Sequence, residues 1–260
     1  MKNRTKLPNI YLAILIILMY LPVVVVIAYS FNASRQSSVW GGWSLSWYKE
    51  LFSDRSLIEA LKNSLIIGVL SSIIAGVIGT LGAVGMAKAA LKSKGIIEYI
   101  STLPIMIPEI ILGMVFMAYF SMMKLPFGMV TLVIGHASFC IPYVFMMVKA
   151  RLAGIDKSLV EAARDLGASE TKAFLDITLP LISPAIISGM LLAFAMSLDD
   201  VVISIFITGP RTNTLPIKIY TQLKTGVTPK INALCTMMLL CTLILVVLAN
   251  FIGRKKPSKD

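Results

Sequence analysis

Six long apolar runs decide what this chain can fold into. They cover approximately residues 10–31, 58–87, 96–123, 128–148, 182–208 and 231–252. Each exceeds the roughly 18 apolar residues that mark a candidate membrane span. Because a backbone inside a bilayer must satisfy its own hydrogen bonds, each run is expected to be helical. The sequence therefore predicts an all-α, polytopic membrane protein with six transmembrane helices, whose surroundings are the lipid bilayer.

The charge of the chain has to be interpreted in that setting. The formal net charge is +11, which in a soluble protein would suggest nucleic acid as a partner. Only 14% of the 260 residues are charged, however, and 57% are hydrophobic, against about a quarter and a half in soluble domains. No nucleic-acid-binding pattern accompanies the positive charge. We therefore expect no nucleic-acid partner and attribute the charge to loops on one side of a membrane.

The distribution of Lys and Arg predicts the orientation. Fifteen of them fall in the two termini and the segments after the second and fourth runs, and eight fall in the other loops. By the positive-inside rule, both termini are then cytoplasmic. The first run is longer than the roughly 7–15 apolar residues of a signal peptide, so we expect it to be retained as a span. The predicted organisation is an N-terminal helix and outer loop (1–57), a transmembrane core (58–253) and a cytoplasmic tail (254–260).

The loop after the first run is rich in aromatic residues. It contains Trp40, Trp43, Trp47 and Tyr48. One interpretation is an aromatic belt at the membrane interface. The other is a docking or substrate-facing surface, because aromatic rings also recognise cations. The sequence leaves both open.

A polar segment between the fourth and fifth runs has the pattern of two short helices. Asp156 can cap the first helix, and Gly167 can end it in a left-handed conformation. Ser169 can cap the second helix, whose positive N-terminus suits Glu170. From the residues alone, this segment is either a solvated hairpin or a docking element with an apolar face formed by Leu159, Ala162, Ala163 and Leu166.

The same segment resembles a known motif. Glu161-Ala162-Ala163, followed by Gly167 and then by Ile177, Leu179 and Pro180, is similar in every spacing to the EAA loop of ABC importer permeases. The resemblance implies a type I ABC importer permease (MetI-like) fold, with residues 150–180 as the coupling loop that enters a groove on a cytoplasmic ATPase. The residues that the resemblance places at the ATPase are Glu161, Ala162, Ala163, Gly167 and Glu170.

The resemblance extends over nearly the whole chain. The stretches AMSLDDVVISIFITGP (195–210), LPIKIY (215–220), KTGVTPKINAL (224–234) and SSVWGGWSLSWYKELF (37–52) are similar to spermidine/putrescine permease subunits of the PotC type. This implies three kinds of partner: a second, PotB-like permease subunit, two copies of a PotA-like ATPase and an extracytoplasmic, PotD-like polyamine-binding protein. The alternatives are an ABC importer of another small solute and an ion-driven carrier. An ion-driven carrier would leave the EAA loop unexplained, and it often has internal repeats that we do not see here.

The sequence does not predict an enzyme. It lacks the G-x-x-x-x-G-K-[ST] phosphate loop, so ATP and Mg²⁺ are expected to be used by the partner ATPase, and no cofactor or metal is expected in this subunit. No arrangement of nucleophile and base is visible in the sequence. The single histidine, His136, is expected to be a hydrogen-bonded packing residue.

Three acids in the apolar runs are the candidates for a cation path. Glu109, Asp199 and Asp200 would each be costly at membrane depth, so they are expected to line a pathway or to pair internally. Asp199 and Asp200 cannot face the same way on a helix, since neighbouring residues lie about 100° apart. Ser197, Trp47 and Tyr48 complete the predicted substrate path.

Overall fold

The computed structural model describes residues 6–35, 39–88, 94–226 and 228–254, and in these ranges the chain is helical apart from its loops. The only β-type pairing there is a single bridge between Asn32 and Trp43. The helices, in chain order, are α1 (Lys6–Tyr29), α2 (Ser46–Ser53), α3 (Arg55–Lys88), α4 (Lys94–Met106), α5 (Glu109–Met122), α6 (Met129–Ala153), α7 (Lys157–Asp165), α8 (Glu170–Ala173), α9 (Leu179–Asp199), α10 (Val202–Ile207), α11 (Leu215–Thr225) and α12 (Pro229–Arg254). A π-helical turn (Phe174–Thr178) joins α8 to α9.

Four stretches of the described chain are long and apolar enough to cross a bilayer: Pro8–Tyr29, Arg55–Lys88, Met129–Ala153 and Glu170–Asp199. Helices α4 and α5 make a fifth span if the bent pair is counted as one. The sixth predicted run lies in α12, which contains a shorter apolar stretch, Pro229–Ile244. The helical membrane fold is therefore confirmed, and the count of six spans stays a prediction.

Two predicted runs turn out not to be continuous helices. The third run is divided at Pro108, and α4 and α5 meet at an angle of 104°. Proline supplies no backbone N–H and disfavours helical geometry in the residue before it, which accounts for the break. The fifth run is divided at Asp200, whose backbone is extended (φ −67°, ψ 123°). Pro104 and Pro108 in the sequence indicate the first break, whereas the break at Asp200 follows two acids that the sequence placed within a continuous run.

The chain divides into two compact units. Among the described residues, those within 1–58 and 219–248 form one unit, and those within 59–218 and 249–260 form the other. Most of the last apolar run, 231–252, falls in the first of these units.

Helix α6 forms the centre of the larger unit. Of the four candidate spans it is the most buried, since 61% of its apolar stretch lies inside the protein. It packs between α3 and α9, each of which contributes a glycine at the contact. A Cβ added at Gly79 of α3 would lie 2.9 Å from the Phe145 nitrogen of α6, and one added at Gly189 of α9 would lie 3.2 Å from Val144 Cα of α6. On α3, Gly68 and Gly76 instead approach Phe194 and Met190 of α9. These glycines therefore allow α3 to pack closely against α6 and α9, as small residues do where membrane helices meet.

Candidate coupling and translocation sites

The polar segment between α6 and α9 folds as two short helices joined by a glycine turn. Asp156 caps α7 by accepting a hydrogen bond of 3.0 Å from the backbone N–H of Ser158, and this bond lowers the pKa of the Asp156 carboxyl. Gly167 has a φ of +87°, in the left-handed region that favours glycine. Ser169 caps α8 by accepting from the N–H of Lys172. These local features follow the sequence prediction.

This coupling segment, which we define as residues 156–180, presents uncovered apolar surface. Leu159 is 47% exposed and Leu166 is 90% exposed, and Ala162 is exposed beside them. Ala163 is half-buried, whereas Glu161 and Glu170 are exposed. A leucine that is almost fully exposed on an ordered turn gains nothing from folding of this chain alone. The segment therefore has the surface expected of a docking element.

Contacts at the base of the coupling segment connect it to the ends of two long helices. Lys88, at the end of α3, lies 2.9 Å from Glu170 and places its ammonium group 5.7 Å from the centre of the Phe174 ring. Arg151, near the end of α6, donates a hydrogen bond of 2.9 Å to the carbonyl of Leu181. The coupling segment is thus joined to the end of α3, and the start of α9 just beyond it is joined to the end of α6.

A buried polar cluster lies inside the larger unit. It consists of His136 from α6, Ser197 from α9, Ser204 from α10, Asp200 between these two helices and Ser71 from α3. The imidazole shares hydrogen bonds with Ser197 Oγ (Nδ1, 2.7 Å) and Ser204 Oγ (Nε2, 2.9 Å), and its Nε2 is 3.4 Å from Asp200 Oδ2. Every member is at most 8% exposed. His136 is therefore the hydrogen-bonded packing residue that the sequence predicts.

In this cluster the fold brings together two serines, a histidine and an aspartate that the sequence did not connect. The partners of His136 lie 61 and 68 residues away along the chain, so no local spacing could reveal them. Ser197 is only 4% exposed and Ser204 is fully buried, so both hydroxyls face the interior of the protein. Of the predicted path residues, Ser197 is thus placed inside the protein.

The three predicted acids are in different environments. Asp200 is internal: its carboxylate accepts from the N–H groups of Ile203 (3.1 Å) and Ser204 (2.8 Å) and so caps α10. Asp199 is exposed, at the last turn of α9, and Glu109 is exposed at the first turn of α5. An ionisable side chain at membrane depth usually faces a protein interior or a water-filled path. The structure therefore places internal pairing at Asp200 and leaves Asp199 and Glu109 as the acids open to their surroundings.

The polar groups of both predicted aromatic path residues are hydrogen-bonded within the protein. Trp47 donates from Nε1 to the carbonyl of Asn32 (2.7 Å), and the Tyr48 hydroxyl shares a hydrogen bond of 2.6 Å with Ser30 Oγ. Both rings are half-buried. The more exposed rings in this loop are Trp40 and Trp43, which contact each other edge to face with centroids 5.2 Å apart. The sequence could not rank these four aromatics, since their burial depends on the folded loop.

Comparison with known proteins gives concordant results. Residues 79–255 match the family model described as "Binding-protein-dependent transport system inner membrane component". The chain is 37% identical to the spermidine/putrescine transport system permease protein PotC of Haemophilus influenzae, over 97% of this chain and 98% of that protein. It is 38% identical to PotC of Escherichia coli K12 (92% and 91% covered) and 39% identical to the putrescine permease PotI of the same strain (85% and 81% covered).

Solved structures share the fold at lower sequence identity. A bacterial ABC transporter for the import of alginate superposes with a TM-score of 0.77 at 18% identity, and the match covers 97% of this chain and 94% of that chain. The methionine transporter MetNI superposes with a TM-score of 0.57 at 21% identity, over 76% and 91% of the two chains. The family model spans more than half of the chain, the two PotC relatives cover more than nine-tenths of it, and the fold is that of ABC importer permeases. The chain therefore belongs to the family of inner membrane components of binding-protein-dependent transport systems, and is a multi-pass permease subunit rather than an enzyme.

Proposed function

We propose that this chain is a permease subunit of an ATP-driven importer of polyamines such as spermidine and putrescine. The observation that carries the proposal is the similarity to PotC and PotI, 37–39% identity over most of the chain, since those proteins are named for spermidine/putrescine and putrescine transport. The exposed coupling segment is consistent with an ATP-driven partner. The exposed acids Asp199 and Glu109 are consistent with a cationic substrate.

The chemistry of the substrate explains why acids are needed. Alkyl amines titrate near the lysine value of about 10.4, so a polyamine carries several positive charges at neutral pH. Moving them through a region of low dielectric constant requires fixed negative charge along the way. Asp199 and Glu109 would supply this charge, and Asp200 and Ser197 would support the path from inside the protein. The half-buried rings of Trp47 and Tyr48 would meet the cation first, with cation–π energies of about 0.5–2 kcal/mol.

The assembly that would perform the transport has several subunits. This chain would pair with a second, PotB-like permease subunit and receive polyamine from an extracytoplasmic, PotD-like binding protein. Two PotA-like ATPases would bind ATP and Mg²⁺ and dock on the coupling segments, with Glu161, Ala162, Ala163, Gly167 and Glu170 at the contact. Both termini would then lie in the cytoplasm.

The test of the proposed function is uptake of radiolabelled spermidine and putrescine by variants that keep shape but lose charge. Asp199→Asn, Asp200→Asn and Glu109→Gln should each lower uptake at matched permease levels, and at least one should be nearly inactive. Glu59→Gln, an exposed acid outside the predicted path, is the matched control and should transport normally. The affinity of the separate binding protein should not change.

Three outcomes would each contradict part of this proposal. Normal uptake in all three acid variants would show that these carboxylates do not form a cation path. Uptake by the complete complex that follows an ion gradient and ignores ATP would assign the chain to ion-driven transport. ATP-dependent uptake of another solute, without polyamine uptake, would support the assignment as an ATP-driven importer but would contradict polyamine as the substrate.

A further inference from the structure

Helix α10 is too short to keep its position without help. It has six residues and follows the extended residue Asp200, which separates it from α9. Isolated helices need about 12–15 residues to be even marginally stable in water, because the first turn is costly to form. The position of α10, and of the acids just before it, must therefore be fixed by contacts with other helices.

Helix α10 packs on α5 at Gly113, and α6 forms side-chain hydrogen bonds with both of its ends. At the N-terminal end, His136 contacts Ser204 Oγ and faces the Asp200 carboxylate that caps the helix. At the C-terminal end, the Thr131 hydroxyl donates a hydrogen bond of 2.8 Å to the carbonyl of Ile207. In addition, the Ile207 side chain lies so close to Gly135 of α6 that a Cβ added at this glycine would collide with Ile207 Cδ1.

His136 also reaches across the break itself. Its Nδ1 contacts Ser197 of α9, before the break, and its Nε2 contacts Ser204 of α10, after it. We propose that His136 is a positioning residue for the transport step: it locks α9 and α10 together across the break, keeps Asp200 turned inward and so leaves Asp199 as the exposed acid of the pair. The role in transport rests on the proposed function, whereas the contact of His136 with both helices rests on geometry alone.

The chemistry of the cluster explains why a histidine suits this place. Nε2 lies 2.9 Å from Ser204 Oγ and 3.4 Å from the Asp200 carboxylate, and because a carboxylate only accepts hydrogen bonds, a proton on Nε2 suits both neighbours. In a neutral ring, Nδ1 then accepts from Ser197, whose oxygen in turn lies 3.3 Å from the Ser71 hydroxyl of α3. Removing the imidazole would leave a buried carboxylate and two hydroxyls without this partner, and such networks respond as a unit.

The first test measures the lock without any substrate. Ile203, fully buried on α10, is replaced by Cys in a chain whose native cysteines are Ala, and the assembled complex is treated with N-ethylmaleimide. We expect His136→Leu to raise the labelling rate at least tenfold, and His136→Gln, whose amide can reach the Nε2 position, to raise it less. Ser138→Ala is the matched control, because that hydroxyl bonds only to its own helix. Equal labelling rates in all of these backgrounds would overturn the proposal.

The second test is a double-mutant cycle on polyamine uptake. His136→Leu and Asp200→Asn should each lower the maximal rate, and the double variant should lose no more than the worse single variant, within twofold, since both changes act on one lock. A double loss equal to the product of the two single losses would mean that the two residues act independently, and would overturn the proposal.

Two milder variants test the same proposal in case the complex with His136→Leu does not assemble. Ser197→Ala and Ser204→Ala each remove one hydroxyl that contacts the imidazole, and should lower the maximal rate at least threefold, with Ser138→Ala unchanged. Wild-type rates in both cluster variants would contradict the lock. If the wild-type complex transports no polyamine, the proposed function fails, but the labelling result still decides whether His136 holds α10.

Discussion

Asn32 shows how much of the predicted outer loop depends on one side chain. It is fully buried, its Nδ2 donates to the carbonyl of Val39, and its Oδ1 accepts from the N–H groups of Ser34 and Gly41. Its own carbonyl accepts from the indole of Trp47. The aromatic loop is therefore arranged around an amide that the sequence analysis did not single out.

Replacing this amide should loosen the loop and leave the transmembrane core intact. Asn32→Ala removes three side-chain hydrogen bonds at about 0.5–1.5 kcal/mol each, so we expect a local loss of roughly 2–4 kcal/mol. Limited proteolysis of the purified complex should then cut within residues 33–45 faster than in the wild type. Ser53→Ala, which loses only a hydroxyl bonded within its own helix, is the control. Unchanged cleavage in Asn32→Ala would show that the loop is held by its aromatic contacts instead.

At the level of elements, the coupling segment and α10 differ in what fixes them. The coupling segment is set by signals within a few residues: the Asp156 cap, the left-handed Gly167 and the Ser169 cap. Helix α10 is positioned by α5 and α6, through residues that are distant in sequence. The first could be predicted from the sequence, and the second could not.

Variants of the coupling segment should separate ATP hydrolysis from transport. Gly167→Val places a β-branched residue at φ +87°, at a cost of about 1–3 kcal/mol, and Glu161→Lys reverses a charge on the exposed face. We expect both variants to lose transport, with the ATPase dissociated or no longer stimulated by substrate. Gly154→Ala is the matched glycine control, since its φ of −92° accepts a side chain. Co-purification and substrate-stimulated hydrolysis at wild-type levels in both variants would remove the docking role.

At the scale of the whole molecule, hydropathy predicts the class of fold but not the path of the chain. The apolar runs correctly indicated a helical membrane protein, because hydrophobic length is set by bilayer thickness. Proline marks the bend at Pro108 in the sequence, but the break at Asp200, within an apolar run, has no such local signal. The site showed the same limit: Asp199 and Asp200 are adjacent and chemically alike, and only the fold makes one exposed and the other a helix cap.

The predicted orientation can be tested with single cysteines on both sides of the membrane. Ser53, Arg211 and Ser158 are exposed, and the positive-inside rule places the first two outside and the third inside. An impermeant thiol reagent on intact cells should label cysteines at positions 53 and 211, and should label one at 158 only after the membrane is opened. The reverse pattern would invert the topology. Two other loop positions suited to this test, Ser38 and Ser93, lie outside the described residues.

The π-helical turn Phe174–Thr178, near the C-terminal end of the coupling segment, has a consequence for how this chain tolerates changes in length. A deletion inside an α-helix rotates everything beyond it by about 100° around the axis, which turns a binding face away from its partner. A π turn contains one residue more per hydrogen-bonded ring than an α turn, so a single residue lost there converts the turn to ordinary helix and leaves the rotational phase on either side nearly unchanged. We therefore expect the chain to tolerate deletion of one residue within the π turn. Deletion of one residue within α9 should instead rotate the coupling segment relative to the rest of that helix.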